Sequence, residues 1–353
     1  MRAFTCPNCG RYIEFECLRC QNCETEVAFH HPTSTFHALT DGVTRIDGET
    51  WFACTDRAWD CNWVVAEDAG TGFCLAGRLV RTRPPADDTV ALEKLASTSA
   101  KLRMLVYQLL ELGLPILPWD TYEKGLGFDL VSSLSTGEQV TIGHADGIIT
   151  IDLVESLDDY RERLRIRLGE AYRTMLGHFR HEVGHYYEML LFDAMPDRID
   201  DVRALFGDER VSYSDAINRH YRYGAPENWR DAYISEYATM HPWEDFAECF
   251  AHYLHITDTL DTTAWSGVVL RAHAANHTPA EDLAMPKVTD EPDFDEILED
   301  WRWASALLNR INRSMGNGDL YPFSINRVVA RKLGFIHDTV RSADALLHGA
   351  HPR

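Results

Sequence analysis

The sequence predicts an α+β protein in which a small cysteine-rich domain precedes a larger, mainly helical domain with a small sheet. Eight of the nine cysteines lie within the first 74 residues. Helical spacing of apolar residues begins near residue 88 and returns near residue 156, with short β-branched runs between. A chain of 353 residues is long enough for one small domain and one large one.

The first cysteines form two CxxC pairs, Cys6-Pro-Asn-Cys9 and Cys20-Gln-Asn-Cys23. Two such turns at short spacing can place four thiolates around one zinc ion. Cys17 is also three residues from Cys20, so the spacing alone leaves the register of the second pair open. These residues predict a structural zinc site.

Three further cysteines, Cys54, Cys61 and Cys74, could bind a second zinc ion but lack a fourth ligand. The candidates for that ligand are Cys17, His30, His31 and His37. The alternative is that the three cysteines are ordinary buried side chains. The sequence thus predicts one or two structural zinc ions in this region.

Composition narrows the function. The net charge of −21 disfavours binding to nucleic acid and to anionic membranes. The N-terminus MRAFTCPNCG lacks the apolar region of a signal peptide, and the sequence has no apolar run of 18 residues. We therefore expect a cytoplasmic protein that does not bind membranes. Clustered cysteines in that reducing compartment bind metal more often than they form disulfides.

Two prolines and charges of both signs interrupt the pattern in RTRPPADDTV, residues 81–90, as in a linker. We place the domain boundary near residue 85, giving domains 1–85 and 86–353. Leucines from Leu92 to Leu112 then recur at helical spacing until Gly113. The runs FDLVSSL (128–134), QVTIGHA (139–145) and GIITIDL (147–153) predict strands, the last two forming a hairpin around Asp146.

A second helix is predicted from about 156 to 193, and it contains HEVGH: His181, Glu182 and His185. Residues i and i+4 project from one helix face, so both histidines can bind one metal ion. Glu182 lies about 100° around the helix from His181, within reach of a water molecule at that metal. This pattern predicts a catalytic zinc site with Glu182 as general base.

Candidates for a third ligand lie in SEYATMHPWEDFAECFAHYLHI, residues 235–256, where Pro242 fits the first turn of a helix. Glu244 and Glu248 are four residues apart on one face of that helix. One could bind the metal while the other accepts a hydrogen bond from a ligand histidine, and their spacing does not decide between them. Tyr237 could direct its phenol at an oxyanion.

The chain resembles a bacterial family of zinc-binding metallopeptidases in which a zinc ribbon precedes a gluzincin-like domain. The matching stretches include CPNCG, CNWVV (61–65), GHADGIITIDLVE (143–155), YRTMLGHFRHEVGHYYEML (172–190), FGDER (206–210), HYRYGAPENW (220–229), SEYATMHPWEDFAECFAHYLHITDTLDT (235–262) and DLYPFSINRVVARKL (319–333).

The resemblance implies a zincin-like fold and one catalytic zinc ion bound by His181 and His185, with Glu182 as the base. EDFAECF is similar to the corresponding helix of the anthrax lethal factor peptidase. That likeness implies that Glu244, not Glu248, is the third ligand and that Tyr237 stabilises the transition state. Glu248 is then the residue that could accept the ring N–H of a ligand histidine.

The sequence departs from the family pattern at two cysteine positions. Gly77 stands where the family has a cysteine, and Cys17 stands where it has another residue. The resemblance to the family pattern implies that Cys20 and Cys23 are the second CxxC pair. We hypothesise that Cys17 replaces the lost ligand and joins Cys54, Cys61 and Cys74.

Three functions fit the sequence. The first is a zinc-dependent peptidase of the gluzincin type, acting on a peptide or protein substrate. The second is a non-catalytic, zinc-stabilised module that binds a protein partner through the ribbon. The third is a peptidase whose ribbon covers the cleft or recruits the substrate.

Overall fold

The fold is described from a computed structural model, which covers residues 2–67, 70–136, 140–153, 174–272, 279–287, 290–342 and 347. It is an α+β fold, as the sequence predicts. The chain divides into two compact units, one of residues 1–108 with 118–156 and one of residues 109–117 with 157–353. These compact units differ from the predicted domains 1–85 and 86–353, whose boundary stays a prediction.

The first unit contains short strands in small sheets. Its described strands are β1 Phe4–Thr5, β2 Tyr12–Ile13, β3 Val27–His30, β4 Thr35–Ala38, β5 Val43–Ile46, β6 Glu49–Ala53, β7 Val64–Ala66, β8 Val80–Thr82, β9 Gly127–Val131, β10 Gly143–Ala145 and β11 Ile148–Asp152. The helices that begin in this unit are α1 Leu75–Leu79, α2 Thr89–Glu111 and α3 Ser133–Thr136. Two 3₁₀ helices, His31–Thr33 and Thr55–Trp59, lie between the strands.

A four-stranded sheet joins segments from both sides of the predicted linker. Its strand order is β10-β11-β9-β8, in which β9 pairs in parallel with both β8 and β11. Strand β8 therefore joins residues 80–82 to a sheet whose other strands come from residues 127–152. Pairing between such distant segments leaves no local mark in a sequence.

The predicted hairpin and strands are confirmed over β9, β10 and β11, but the end of the run 128–134 is helical, because α3 begins at Ser133. Residues 137–139 lie outside the described part of the chain. β10 and β11 pair antiparallel around a turn in which Asp146 and Gly147 both have positive φ, 48° and 88°. This backbone suits a two-residue hairpin turn. A Cβ atom on Gly147 would lie 2.2 Å from the Lys124 carbonyl oxygen, so the turn requires glycine.

Helix α2 confirms the predicted leucine-rich helix, and aromatic side chains form the core of the N-terminal strands. Phe29 packs against Phe4, Phe15, Phe36 and Trp63, with ring centroids 5.2–5.6 Å apart. All five rings are at least 95% buried. Rings at these separations are in direct contact, so aromatic packing stabilises this core between short strands.

The second unit is mainly helical. Its described helices are α4 Met175–Ala194, α5 Ile199–Phe206, α6 Tyr213–Tyr223, α7 Pro242–Trp265, α8 Phe294–Ser314 and α9 Arg327–Arg341, with 3₁₀ helices Pro196–Arg198, Trp229–Asp231 and Tyr237–Thr239 and a hairpin of β12 Val269–Leu270 and β13 Leu283–Ala284. The first part of the helix predicted for 156–193 falls in residues 154–173, outside the described residues. No helix among the described residues is long and apolar enough to cross a membrane.

Helices α4 and α7 carry the candidate site and pack unusually closely at one point. Thr174 caps α4 by accepting a hydrogen bond from the N–H of Gly177, and Pro242 occupies the first turn of α7, as predicted. Gly184 lies between the two histidines of HEVGH. A Cβ atom there would lie 2.8 Å from the Cα of Ala247. Glycine therefore lets the backbones approach closely enough for α7 to reach α4.

We expect Gly184→Ala to separate these helices and weaken the metal site. The added methyl would contact helix backbone, which cannot give way as a flexible side chain can, so we expect a loss of about 1–3 kcal/mol of unfolding free energy. Zinc affinity should fall as well, although no ligand is changed. Urea unfolding and zinc titration measure both effects. Gly318→Ala is the control, because a Cβ atom there meets nothing within 4 Å; equal behaviour of the two variants would contradict the prediction.

Candidate metal centre

The structure brings the two histidines of HEVGH together with Glu244. One nitrogen of His181, one nitrogen of His185 and one carboxylate oxygen of Glu244 all lie within 4.8 Å of one another. Nε2 of His181 is 3.0 Å from Oε2 of Glu244, and Nε2 of His185 is 3.6 Å from the same oxygen. Two imidazoles and one carboxylate are donors that zinc accepts, so these residues fit a zinc ion.

Glu248 lies on the opposite side of the His181 ring. Nδ1 of His181 donates to Oε1 of Glu248 over 2.8 Å, and the Ser235 hydroxyl donates to Oε2 of the same carboxylate over 2.7 Å. This contact leaves Nε2 of His181 directed at Glu244. The arrangement is the carboxylate–histidine pairing that orients metal ligands. The two glutamates thus differ in place, with Glu244 among the candidate ligands and Glu248 behind them.

Tyr213, at the start of α6, also contacts a candidate ligand, Glu244, and it was not predicted. Its hydroxyl donates to Oε1 of Glu244 over 2.6 Å, leaving Oε2 facing the histidines. Burial and the charge of Glu244 raise the pKa of Tyr213, so the phenol stays protonated as a donor. Ser235 was also not predicted, since neither residue belongs to a recognisable motif.

The ligand cluster is buried, and its charges favour a cation. Burial alone would raise the pKa of Glu244, but His185 and His181 hold it well below its ordinary value. Burial alone would lower the pKa of His181, but Glu244 and Glu248 raise it well above its ordinary value. Glu244 therefore favours positive charge where its Oε2 faces the two histidines, and a divalent cation would be placed there.

We expect Tyr213→Phe to lower zinc affinity at this site by about 10–100-fold, the usual effect of removing a hydrogen bond to a metal ligand. The substitution removes only the hydroxyl that holds Oε1 of Glu244. Competition with a chromogenic chelator measures the affinity. Tyr221→Phe is the control, because Tyr221 lies on the same helix and is 58% exposed. Unchanged affinity in Tyr213→Phe would show that Glu244 needs no support from this phenol.

Glu182 lies beside the ligands at a cavity of about 280 Å³. The cavity is lined by His178, His181, Glu182 and Tyr237 together with aromatic and apolar side chains. Oε1 of Glu182 is 3.7 Å from Nε2 of His178. The Tyr237 ring centroid is 5.7 Å from that of His181. The predicted base and the predicted tyrosine thus share one cavity with a candidate metal ligand.

Two buried histidines of α7, His252 and His255, also line this cavity. Nδ1 of His252 is 2.9 Å from the Tyr321 hydroxyl oxygen, and Arg180 donates to Nδ1 of His255 over 2.7 Å. Burial lowers the pKa of both imidazoles, that of His252 to about 4. Both rings are therefore neutral at pH 7 and contribute a weakly polar wall.

The low pKa of His252 predicts a specific loss of stability in acid. An unfolded histidine has a pKa near 6.5, so acid protonates the unfolded chain first. The contribution of neutral His252 is complete above about pH 6.5 and is lost as the pH falls to 4, by up to about 3 kcal/mol. We expect His252→Gln to reduce this slope in urea unfolding measured from pH 7 to 4.5. An unchanged slope would contradict the assignment.

The first four predicted cysteine ligands come together in the first unit. One sulfur atom from each of Cys6, Cys9, Cys20 and Cys23 lies within 4.8 Å of the others. The Cys6–Cys23 and Cys9–Cys20 sulfur separations are 3.6 and 3.7 Å. Tetrahedral zinc with bonds of about 2.3 Å places its sulfur ligands about 3.8 Å apart. The four cysteines therefore fit one zinc ion.

The two CxxC turns share one backbone pattern, which settles the register that spacing left open. The N–H of Gly10 donates to the carbonyl of Cys6, and the N–H of Glu24 donates to that of Cys20, each over 2.9 Å. Gly10 and Glu24 both have positive φ, 69° and 58°. Cys20 and Cys23 thus form the second pair, and Cys17 lies outside this cluster.

Cys54, Cys61 and Cys74 form a second, fully buried cluster, but the structure does not bring Cys17 to it. The Cys17 thiol instead donates to the Arg19 carbonyl over 3.1 Å. The other sequence candidates for a fourth ligand, the three histidines at 30, 31 and 37, are also absent from this cluster. The Cys61–Cys74 sulfur separation is 3.7 Å, and the Cys74 N–H donates to the sulfur of Cys54 over 3.3 Å. Hydrogen bonds from Cys61 and Cys74 lower the pKa of Cys54, so a thiolate is stable in this cluster.

Comparison with known proteins identifies the family of the chain. Residues 91–339 match the family model described as "Putative zinc-binding metallo-peptidase". The chain belongs to this family. Residues 3–88 match a zinc-ribbon domain family. The metallopeptidase match contains HEVGH, and the separate zinc-ribbon match contains the eight N-terminal cysteines.

Two relatives match this chain over nearly their whole length. They are uncharacterized proteins of Mycobacterium tuberculosis and Mycobacterium bovis, each 41% identical over 354 residues, covering 100% of this chain and 99% of the relative. No solved structure matches the chain. Zinc binding thus has support from the family and from the clustered donors.

Proposed function

We propose that this protein is a zinc-dependent peptidase of the gluzincin type, with His181, His185 and Glu244 as the ligands of its catalytic zinc. The observation that carries the proposal is the meeting of these three donors beside a cavity that also contains Glu182. A site that served only to stabilise the fold would be closed by a fourth protein ligand. Among the described residues, this cluster has three.

Zinc, when bound, polarises a carbonyl group and makes a water molecule more acidic. Glu182 accepts the proton of that water, because its carboxylate borders the cavity next to His181. The same residue then donates the proton to the leaving amine. His178, 3.7 Å from Glu182, helps to hold the carboxylate in the cavity.

Tyr237 is the proposed donor to the oxyanion that develops on the scissile carbonyl. It lies at the start of the 3₁₀ helix Tyr237–Thr239 and lines the cavity together with His181, with the two ring centroids 5.7 Å apart. A phenol that donates only as negative charge develops lowers the barrier without binding the substrate more tightly. Replacing Tyr237 by Phe should therefore lower kcat more than it changes KM.

The cavity favours a peptide with an apolar or aromatic side chain near the cleaved bond. Trp229, Tyr233, Ile234 and Phe323 line it, and a volume of about 280 Å³ is enough for one large side chain. Such a wall gains free energy by removing apolar surface from water. These apolar residues, which lie beside the polar Arg230, Ser235 and Glu236, support a peptide or protein substrate with an apolar side chain at this position.

The test is cleavage of a mixed-sequence peptide library by the full chain, read by mass spectrometry. Protein that has lost zinc from the His181–His185–Glu244 site, but has kept zinc at the ribbon cysteines, should be inactive. One equivalent of zinc should then restore cleavage. Apolar residues should be enriched on one side of the cleaved bonds. Absence of cleavage by protein with a filled His181–His185–Glu244 site would favour the alternative, a zinc-stabilised module that binds a protein partner through its ribbon.

A further inference from the structure

The cluster of Cys54, Cys61 and Cys74 offers three ligands where structural zinc takes four. Among the described residues, no fourth histidine, cysteine or carboxylate atom lies within 4.8 Å of all three sulfur atoms. The three thiols are nonetheless buried and close together, as thiolate ligands of a metal ion are. A side chain that borders the cluster could therefore supply the fourth donor.

Asp56 borders the cluster at the helix that follows Cys74. Gly77 lies on α1, three residues after Cys74 and on the same side of the helix. A Cβ atom on Gly77 would lie 3.0 Å from Oδ2 of Asp56. The carboxylate thus occupies the place that a side chain at position 77 would take.

The backbone also holds Asp56 close to two of the cysteines, because Asp56 lies between Cys54 and Cys61 in the chain. Its 3₁₀ helix, Thr55–Trp59, begins directly after Cys54, and the N–H of Cys61 donates to the Asp56 carbonyl over 3.1 Å. The side chain of Asp56 is only 17% exposed. A carboxylate held beside buried thiols in this way needs positive charge nearby.

Arg83 supplies one such charge and leaves room for another. Its Nη2 atom is 2.8 Å from Oδ2 of Asp56, and its other hydrogen bonds go to the carbonyls of Gly77 and Val80, each over 3.2 Å. One carboxylate oxygen can therefore remain with Arg83 while the other turns toward the sulfur atoms. Three thiolates and one carboxylate exceed the charge of zinc by two, and Arg83 offsets part of that excess.

We propose that Asp56 is the fourth ligand of a second structural zinc site with Cys54, Cys61 and Cys74. Oxygen from aspartate is an accepted zinc ligand at about 2.0–2.2 Å. Zinc binding requires the other carboxylate oxygen, Oδ1, to turn toward the thiols while Oδ2 stays with Arg83. The proposal does not depend on peptidase activity, because this site lies in the first unit and is structural.

The test counts zinc in the full chain by elemental analysis after dialysis against a competing chelator. Asp56→Ala should lower the affinity for one zinc ion by more than about 100-fold, which exceeds the effect of losing a hydrogen bond to a metal ligand. That zinc ion should therefore be lost in dialysis. Arg83→Met should keep that zinc, because the carboxylate remains. Asp120→Ala, which removes the ion pair with Arg78 in the same unit, is the control.

A rescue variant separates a ligand role from a folding defect. Asp56→Ala/Gly77→Cys places a thiol in the vacated space and should regain the lost zinc. When cobalt replaces zinc, the charge-transfer absorption from thiolate to metal should be stronger in this double variant than in the parent. The increase should correspond to one additional thiolate ligand. Asp56→Ala that retains zinc as tightly as the parent would overturn the proposal. So would equal loss in Arg83→Met, since Asp56 would then act only through its ion pair.

Discussion

Glu182→Gln is expected to leave zinc bound and to lower peptide hydrolysis by about 10²–10⁴-fold, the usual contribution of a general base. The amide has the shape of the carboxylate but cannot accept a proton. Glu182 is not among the three donors that cluster around the candidate metal position, so zinc content should not change. The measurement is kcat/KM on a peptide found in the library, with zinc counted on the same sample.

Glu299→Gln is the matched control for this experiment. Glu299 lies on α8 with its side chain 57% exposed and forms a surface ion pair with Arg302. Such pairs contribute little to stability, so the control should keep both activity and zinc. If Glu182→Gln cleaved peptide at the parent rate with zinc bound, Glu182 would not be the base.

Lys332→Met is expected to lower the free energy of unfolding by about 3–5 kcal/mol, because it leaves the buried Asp245 carboxylate without its partner. Lys332 on α9 and Asp245 on α7 are 2% and 0% exposed. The lysine also donates to the Ala232 carbonyl over 2.7 Å. The pair therefore joins the helix that carries Glu244 to the C-terminal helix.

The pKa of Asp245 gives this prediction a pH signature. Burial raises it to about 7 even with Lys332 beside it. Without the lysine, protonation relieves the unpaired charge, so the variant should lose less stability at pH 6 than at pH 8. Urea unfolding of Lys332→Met and of Asp245→Asn/Lys332→Met tests the argument. The double variant should recover part of the loss, and equal losses at both pH values would contradict it.

The part of the site that local spacing determines could be predicted from the sequence. His181 and His185 are one helical turn apart, so their joint projection follows from helix geometry alone. The pairs Cys6–Cys9 and Cys20–Cys23 were predicted for the same reason, and the structure brings their thiols together. In each case the signal lies within a few residues of chain.

The parts that depend on packing between distant segments could not be predicted. Spacing did not distinguish Glu244 from Glu248, because both project from the same face of α7; their different places follow from contacts with His181 and Ser235. Tyr213 reaches Glu244 from 31 residues away. The same limit explains Cys17, whose CxxC spacing with Cys20 gave no sign that its thiol contacts a local carbonyl instead of a metal cluster.

Elemental analysis of the full chain and of His185→Ala tests the claim that His181, His185 and Glu244 hold a zinc ion. Removing His185 deletes one ligand on the partly exposed side of the cluster and leaves the ribbon cysteines unchanged. With circular dichroism showing that both proteins are folded, the parent should hold one zinc ion more than the variant after dialysis against a chelator. Equal zinc content in the two proteins would contradict the claim.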